Sequence, residues 1–211
     1  MILRSSPASP FGRLVKIAAH VTGMMEKITI EVADTNDPAD SLRQQNPLGK
    51  IPALVTDQGV LYDSRVILDW LDERAGGGVL VPASGAERHR VLTRLALGIG
   101  LLDAAILVVY EGRFRPADKH VESFVAYQRD KISRALVALA ADYPHYNNAA
   151  QPDAAEITLA CSLDYLDFRQ QLEWRDHVPQ MASWMQDFAA AVPGYGETLI
   201  PEMPPAPWRQ F

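Results

Sequence analysis

Residues 46–54 read Asn-Pro-Leu-Gly-Lys-Ile-Pro-Ala-Leu, and residues 62–65 read Tyr-Asp-Ser-Arg. The proline-led part of the first stretch predicts a strand over 53–56, and the turn sequence Asp-Gln-Gly predicts a hairpin to a second strand over 60–62. Apolar residues at helical spacing then predict a helix over 64–74. A loop, a hairpin and a helix in this order can hold an extended peptide by its backbone at one end and its charged terminus at the other.

The segments upstream complete a recognisable order of elements. Short strands are predicted over 2–4 and 27–32, the second with alternating apolar and polar residues. A helix is predicted over about 10–24, with Ser9 as its N-cap and proline at its first position. A short irregular helix over 37–45 precedes the loop. The sequence β-α-β-α-β-β-α indicates a thioredoxin-like fold.

The rest of the chain is predicted to be helical. We expect an α/β plus all-α protein, with a thioredoxin-like domain over 1–78, a linker over 79–86 and an all-helical domain over 87–211. Asp153 and Glu156 form a capping-box pattern at the start of one helix. A proline-rich tail closes the chain. The predicted helices of this part cover 86–113, 118–141, 153–168 and about 178–192.

Composition excludes several classes of function. The 211 residues are 48% hydrophobic and 22% charged with a net charge of -6, which is typical of a globular protein and argues against a nucleic-acid partner. No apolar run is expected to span a membrane, and no membrane partner is predicted. The single cysteine, Cys161, favours a cytoplasmic location. Scattered histidines argue against a metal, and the absence of a phosphate-binding glycine motif argues against a nucleotide cofactor.

The stretch N-P-L-G-K-I-P-A-L, followed by L-Y-D-S-R-V-I-L-D-W-L, resembles the glutathione-binding half of cytosolic glutathione S-transferases. The lead-in Ser-Pro-Phe at 9–11 is similar to that of bacterial members with serine at the reactive position. The resemblance implies glutathione as co-substrate. It also implies a homodimer whose site lies between the two domains of one subunit and is completed at the dimer interface.

The resemblance also implies which residues bind glutathione. Pro52 would be cis, so that the backbone of Ile51 pairs with the cysteinyl part of the peptide. Lys50 would reach the glycyl carboxylate, although a solvated lysine is equally compatible with the pattern. Ser64 would bind the γ-glutamyl carboxylate at a helix N-terminus, and Asp63 would pair with the ammonium group. The alternative is that Asp63 or Ser64 only caps the helix.

Ser9 is the predicted catalytic residue. A hydroxyl donating to the bound sulfur favours thiolate over thiol, and a free thiol has a pKa of about 8.5. The alternative is an N-cap without catalysis. Arg13, one turn further on, could add positive potential near Ser9, although a surface position is expected. Because no cysteine stands at position 9, exchange through a mixed disulfide with the protein is not expected, and Cys161 is expected to be buried.

An apolar cleft for the second substrate is predicted beside Ser9, with Phe11, Tyr110, Phe114 and Trp208 as candidates, each of which could instead be core or tail. The expected function is attack of the glutathione thiolate on a small hydrophobic electrophile. A non-enzymatic glutathione-binding or regulatory protein is the first alternative, because a fold does not fix a function. A glutathione-dependent peroxidase or reductase is the weaker one.

Overall fold

The computed structural model describes residues 1–147 and 151–200. Four strands form one sheet in the order β2-β1-β3-β4, where β1 is Ile2–Ser5, β2 is Thr29–Val32, β3 is Ala53–Thr56 and β4 is Gly59–Leu61. The central strand β1 is parallel to β2 and antiparallel to β3. Its buried Leu3 pairs with Leu54 of β3, which fixes the register of the hairpin.

Three helices accompany this sheet: α1 is Pro10–Val21, α2 is Leu42–Gln45 and α3 is Ser64–Arg74. Ser9 caps α1 and a proline occupies its first position, as the sequence predicts. The element order is β-α-β-α-β-β-α, so the predicted thioredoxin-like fold is confirmed.

Two local predictions in this half are wrong in extent. The strand predicted from residue 27 begins at Thr29, because residues 25–27 form a 3-10 turn. Only α2 of the helix predicted over 37–45 exists, because the Asp37 and Asp40 side chains accept backbone N–H groups in turns that compete with the helix. All of β2 is exposed, since it is an edge strand.

The second half is helical, and α4 packs against both α5 and α6. The predicted capping box is present: Asp153 accepts from the backbone of Glu156, whose carboxylate accepts from the backbone N–H of Asp153. The α/β plus all-α fold class is therefore confirmed. The helices are α4 Gly85–Phe114, α5 Glu122–Asp142, α6 Ala154–Arg169, α7 Trp174–His177 and α8 Met181–Ala191.

The helix predicted from residue 118 begins later, because residues 117–119 form a 3-10 turn and the Glu111 carboxylate accepts the N–H of Val121 at 2.7 Å. The short helix α7 had no sequence prediction, although its Trp174 is fully buried. The proline-rich tail lies outside the described residues.

The expectation that no apolar run could span a membrane needs correction. Helix α4 is long enough and apolar enough by length and composition alone. Buried core helices of soluble proteins share this property, and 44% of its most apolar window is buried inside this chain. The hydropathy of α4 is therefore weak support for a membrane span.

The expectation that Arg13 lies at the surface is wrong. Its side chain is buried, and Nη1 lies 2.5 Å from Oδ2 of Asp164 on α6. The guanidinium also donates to the carbonyl of Tyr195, and the Tyr195 hydroxyl donates to the same Asp164 oxygen at 2.9 Å. Burial would lower the pKa of Arg13, but the Asp164 carboxylate outweighs it and holds the cation charged. Arg13 thus ties α1 to the helical half.

Candidate active site

A buried asparagine shapes the loop before β3. The Asn46 side chain donates from Nδ2 to the carbonyl of Lys50 at 2.8 Å, and its Oδ1 accepts the N–H of Leu48 at 3.0 Å. Gly49, with φ of 60°, donates its N–H to the Asn46 carbonyl in the same turn. Only a residue that tolerates positive φ closes this turn without strain. The loop therefore presents Lys50 and Ile51 in a fixed position.

The Ile51–Pro52 peptide bond is cis. The Ile51 side chain packs against Ala33, Leu42 and Ala53. Within the described residues, neither the N–H nor the C=O of Ile51 has a hydrogen-bond partner. These groups form a short free backbone edge, which an extended peptide can pair with.

Asp63 is the N-cap of α3. Its Oδ1 accepts the backbone N–H of Arg65 at 3.0 Å, and its Oδ2 lies 2.8 Å from the Arg65 guanidinium. The hydrogen bond from Arg65 is the main cause that lowers the pKa of Asp63. Ser64 is the first helical residue and is only 3% exposed. The carboxylate is thus ionised and half-exposed, whereas the serine is nearly closed to solvent.

Ser9 lies at the start of α1, as its N-cap. Its Oγ accepts the backbone N–H of Gly12 at 3.0 Å, and the residue is 9% exposed. Accepting this bond leaves the hydroxyl hydrogen available, and no acceptor for it occurs among the described residues. Ser5, at the end of β1, is buried, and its hydroxyl donates to the Ser6 carbonyl at 3.4 Å.

A cavity of about 420 Å³ joins Ser9 to the Lys50–Ile51 edge. Its walls come from α1, the loop before β3, α4 and α6. Phe11 and Tyr110 line it. Phe114 does not; it is 66% exposed and packs edge-on against Tyr110, with ring centroids 5.0 Å apart. The lining is completed by Ser6, Ala8, Pro10, Thr35, Gly49, Asp103, Ile106, Leu107, Val109, Arg113, Tyr165 and Arg169.

Asp63, Ser64 and Pro52 lie outside this lining. Asp103 lines the cavity, and burial raises the pKa of its carboxyl while the charges of Lys50 and Arg65 oppose that rise. The charge of Asp63 also acts on Asp103. Arg65 and Asp63, at the N-terminal end of α3, therefore lie within electrostatic reach of the cavity. Trp208 is outside the described residues.

The sequence did not single out four charged or aromatic lining residues: Asp103, Arg113, Tyr165 and Arg169. A signal existed, because Arg113 follows Tyr110 by three positions and Arg169 follows Tyr165 by four. Such pairs lie on one face of a helix. What the sequence lacked was the information that these faces of α4 and α6 converge on Ser9.

Cys161 is buried, as expected, and burial raises the pKa of its thiol to about 12. It does not line the cavity. In residues 1–147 and 151–200, no group of three or more histidine, cysteine or acidic side chains is placed to hold a metal ion.

A cleft that joins a serine-capped helix to a free backbone edge in a thioredoxin-like fold defines a protein that can hold an extended peptide. Residues 3–78 match the family described as glutathione S-transferase, N-terminal domain. The chain is 32% identical to the uncharacterized GST-like protein YibF of Escherichia coli K12, over 81% of this chain and 84% of that protein. The chain belongs to the glutathione S-transferase family.

Solved structures agree with this assignment. A glutathione transferase family member from Pseudomonas fluorescens Pf-5, crystallised with bound glutathione, is 43% identical, with a TM-score of 0.85 over 95% of this chain and 98% of that one.

A second sequence relative matches a smaller part of the chain. The stringent starvation protein A homolog of Coxiella burnetii is 34% identical over 43% of this chain and 42% of that protein.

Proposed function

We propose that this protein is a glutathione S-transferase that binds glutathione across the cavity and activates its thiol with Ser9. The observation that carries the proposal is the cavity itself, which brings the Ser9 hydroxyl and the free backbone edge of Ile51 into one space. Similarity to a protein crystallised with glutathione supports the same choice of co-substrate.

The binding roles follow from the chemistry of each group. The Ile51 N–H and C=O pair with the cysteinyl backbone, and Lys50 attracts the glycyl carboxylate. Asp63 pairs with the γ-glutamyl ammonium group. Ser64 and the N-terminus of α3 stabilise the γ-glutamyl carboxylate through free N–H groups and the helix dipole. Pro52 sets the direction of the Ile51 edge.

Ser9 performs the activation. Its Oγ keeps the N-capping bond from Gly12 while its hydrogen points to the sulfur, which stabilises the thiolate relative to the thiol. Lowering the thiol pKa by one unit corresponds to about 1.4 kcal/mol of preferential thiolate stabilisation. The thiolate then attacks the electrophile, and a carbon–sulfur bond forms while the leaving group takes the electron pair.

The experiment is a pH titration of bound glutathione, followed by thiolate absorbance, in the native protein and in Ser9→Ala. We expect the bound thiol to titrate about one or two units below its free pKa of about 8.5, and the variant to shift it back. Tight binding with an unshifted thiol pKa in the native protein would contradict the enzymatic role. Absence of glutathione binding would contradict the function altogether.

A regulatory, non-enzymatic role is the second candidate. It is kept because the chain also matches the stringent starvation protein A homolog, whose name does not describe a transferase, over less than half of either chain. The two candidates separate on turnover: a regulatory protein binds glutathione without forming a thioether.

The proposal includes a cytoplasmic homodimer of two-domain subunits, with the division at residues 79–86. The segment between the end of α3 at Arg74 and the start of α4 at Gly85 contains no helix or strand, which supports this division. An exposed Val66 on α3 and a shallow groove of about 350 Å³ between α4 and α5 support self-association. Sedimentation velocity of the purified protein tests the dimer, and a monomer at all concentrations would contradict it.

A further inference from the structure

The cavity has two guanidinium groups on the side formed by the helical half. Arg113 stands on the last turns of α4 and Arg169 on the last turn of α6, and both line the cavity with Ser9. Neither guanidinium is needed for the glutathione-binding roles assigned to Lys50 and Asp63. Their presence beside an otherwise apolar wall requires a separate explanation.

Arg113 is exposed and Arg169 is half-buried. Both differ from three arginines that are buried or half-buried elsewhere in the chain. Arg4, Arg13 and Arg175 are each in an ion pair with an aspartate. Within the part of the chain that the structure describes, Arg113 and Arg169 have no carboxylate partner, and Nε of Arg169 is buried without a hydrogen bond. A half-buried cation without an anion, such as Arg169, gains most from an anionic ligand, and the exposed Arg113 adds a second positive charge to the same wall.

Aromatic rings hold both guanidiniums in place. The Arg169 guanidinium lies 4.4 Å from the Phe168 ring centroid and 5.5 Å from that of Tyr165, and Arg113 lies 5.5 Å from the centroid of Tyr110. Cation–π contacts occupy the face of each guanidinium, and its edge carries the N–H groups that bind a carboxylate. At Arg169 part of this edge donates a hydrogen bond to the Tyr165 hydroxyl.

Asp103, the acidic residue of the described lining, lies towards the end of the cavity that faces away from Arg113. Asp103 precedes Arg113 by ten residues on α4, which separates their backbones by about 15 Å along the helix axis. The charges that act on Asp103 are those of Lys50, Arg65 and Asp63, all on the glutathione side. The cavity is therefore polarised, with its unpaired positive charge in the wall formed by the ends of α4 and α6.

We propose that the second substrate is an electrophile that carries a carboxylate, and that Arg113 and Arg169 bind this carboxylate while the glutathione thiolate attacks the reactive carbon. This inference rests on the proposed transferase function and adds the chemical class of its substrate. The apolar contacts of Ile106 and Leu107 would hold the carbon skeleton between the two charged ends.

The test uses a chloronitrobenzoate and the corresponding chloronitrobenzamide, which differ in charge. With either, the sulfur–carbon bond forms, the carbon–chlorine bond breaks, chloride leaves with the electron pair and the thiol proton passes to solvent. Relative to the uncatalysed rates, we expect kcat/KM to favour the acid by about tenfold or more, since a hydrogen-bonded charge pair is worth at least that factor.

Arg113→Gln and Arg169→Gln should each reduce that preference by about tenfold while changing the rate with the amide by less than about threefold. Arg113→Lys keeps the charge and should retain part of the preference. Arg90→Gln, at an exposed arginine near the start of α4, is the matched control. Glutathione affinity should be unchanged in all four variants.

Equal loss with acid and amide in both glutamine variants would overturn the proposal, as would a native enzyme that does not prefer the acid. Calorimetric binding of the two glutathione conjugates, prepared chemically, tests the same preference without turnover. Turnover of the amide with no preference for the acid would contradict the substrate class but not the proposed transferase function. Failure to bind glutathione or either conjugate would contradict the function itself.

Discussion

The backbone N–H of Gly12 donates to Ser9 Oγ at 3.0 Å, so the proposed catalytic hydroxyl is also the N-cap of α1. Gly12 has little room for anything else, because a Cβ atom there would lie 2.1 Å from the Ser5 hydroxyl. Any substitution of Ser9 therefore combines an effect on chemistry with an effect on helix stability. The two effects must be measured separately.

Two variants separate them. Ser9→Ala should lower the free energy of unfolding by about 1 kcal/mol, whereas Ser9→Gly should lower it by only a few tenths, because glycine is a tolerable N-cap. Both remove the hydroxyl, so both should raise the pKa of bound glutathione equally. Urea unfolding and thiolate absorbance measure the two quantities. If the glycine variant keeps a low thiol pKa, Ser9 is only a cap.

Asp63→Asn tests the contact with the glutathione ammonium group. Asparagine caps a helix as well as aspartate does, so α3 should be retained while the charge is lost. Because exposed ion pairs contribute up to about 1 kcal/mol, we expect the Kd for glutathione to rise roughly three- to fivefold. A glutathione analogue without the amino group should bind both proteins equally. An equal loss with this analogue would place Asp63 elsewhere in the binding.

Arg13→Met should strongly destabilise the protein, because it leaves Asp164 buried without its cation. Breaking a buried pair in this way costs about 3–5 kcal/mol, measured by urea unfolding. Arg134→Met removes an exposed pair with Asp130 and should change stability by less than about 0.5 kcal/mol. The double variant Arg13→Met with Asp164→Leu should recover most of the loss. A mild single variant would refute the role of this pair.

Gly98→Ala should be destabilising although alanine favours helices. A Cβ atom at this position of α4 would lie 2.7 Å from Cγ2 of Thr158 on α6, and overpacking costs about 1–3 kcal/mol. Gly112→Ala is the control on the same helix, since nothing lies within 4 Å of its added methyl group. That variant should be stabilised by about 0.4–1 kcal/mol. Similar melting temperatures for both variants would contradict the close packing of α4 on α6.

The Glu156 carboxyl gives a pH dependence of stability. Burial, followed by the neighbouring Asp153 charge, raises its pKa from 4.5 to about 7 in the folded protein. The folded state thus binds more protons than the unfolded state within this window, and stability falls as pH rises through it. Glu156→Gln keeps the capping box but not the titration.

The native protein should therefore lose stability relative to Glu156→Gln between pH 4.5 and about pH 7, as measured by urea midpoints. Above that window the difference should be constant. A difference that is independent of pH throughout would show that Glu156 titrates normally.

Local signals in the sequence were enough to predict several of the elements around the proposed site. The turn at Asp57–Gly59, the proline at position 10 and the capping box at Asp153 each act over a few residues, so their physics is readable without the fold. The aspartate-rich segment before α2 was misread, because turns and helix starts share the same residue types.

Long-range pairings could not be read in this way. Arg13 and Asp164 are 151 residues apart, and nothing local distinguishes a buried arginine from a surface one. The same holds for the wall that Arg113 and Arg169 form, since their helices meet only through the packing of α4 on α6. The roles assigned to the site residues remain predictions for the experiments above.

The burial of Cys161 affects how the protein would survive oxidative stress. When a cell's glutathione pool becomes oxidised, accessible cysteine thiolates form mixed disulfides with it. The one cysteine of this chain is fully enclosed, and its raised thiol pKa keeps it protonated. The proposed transferase would thus be protected from forming a mixed disulfide with oxidised glutathione through this thiol.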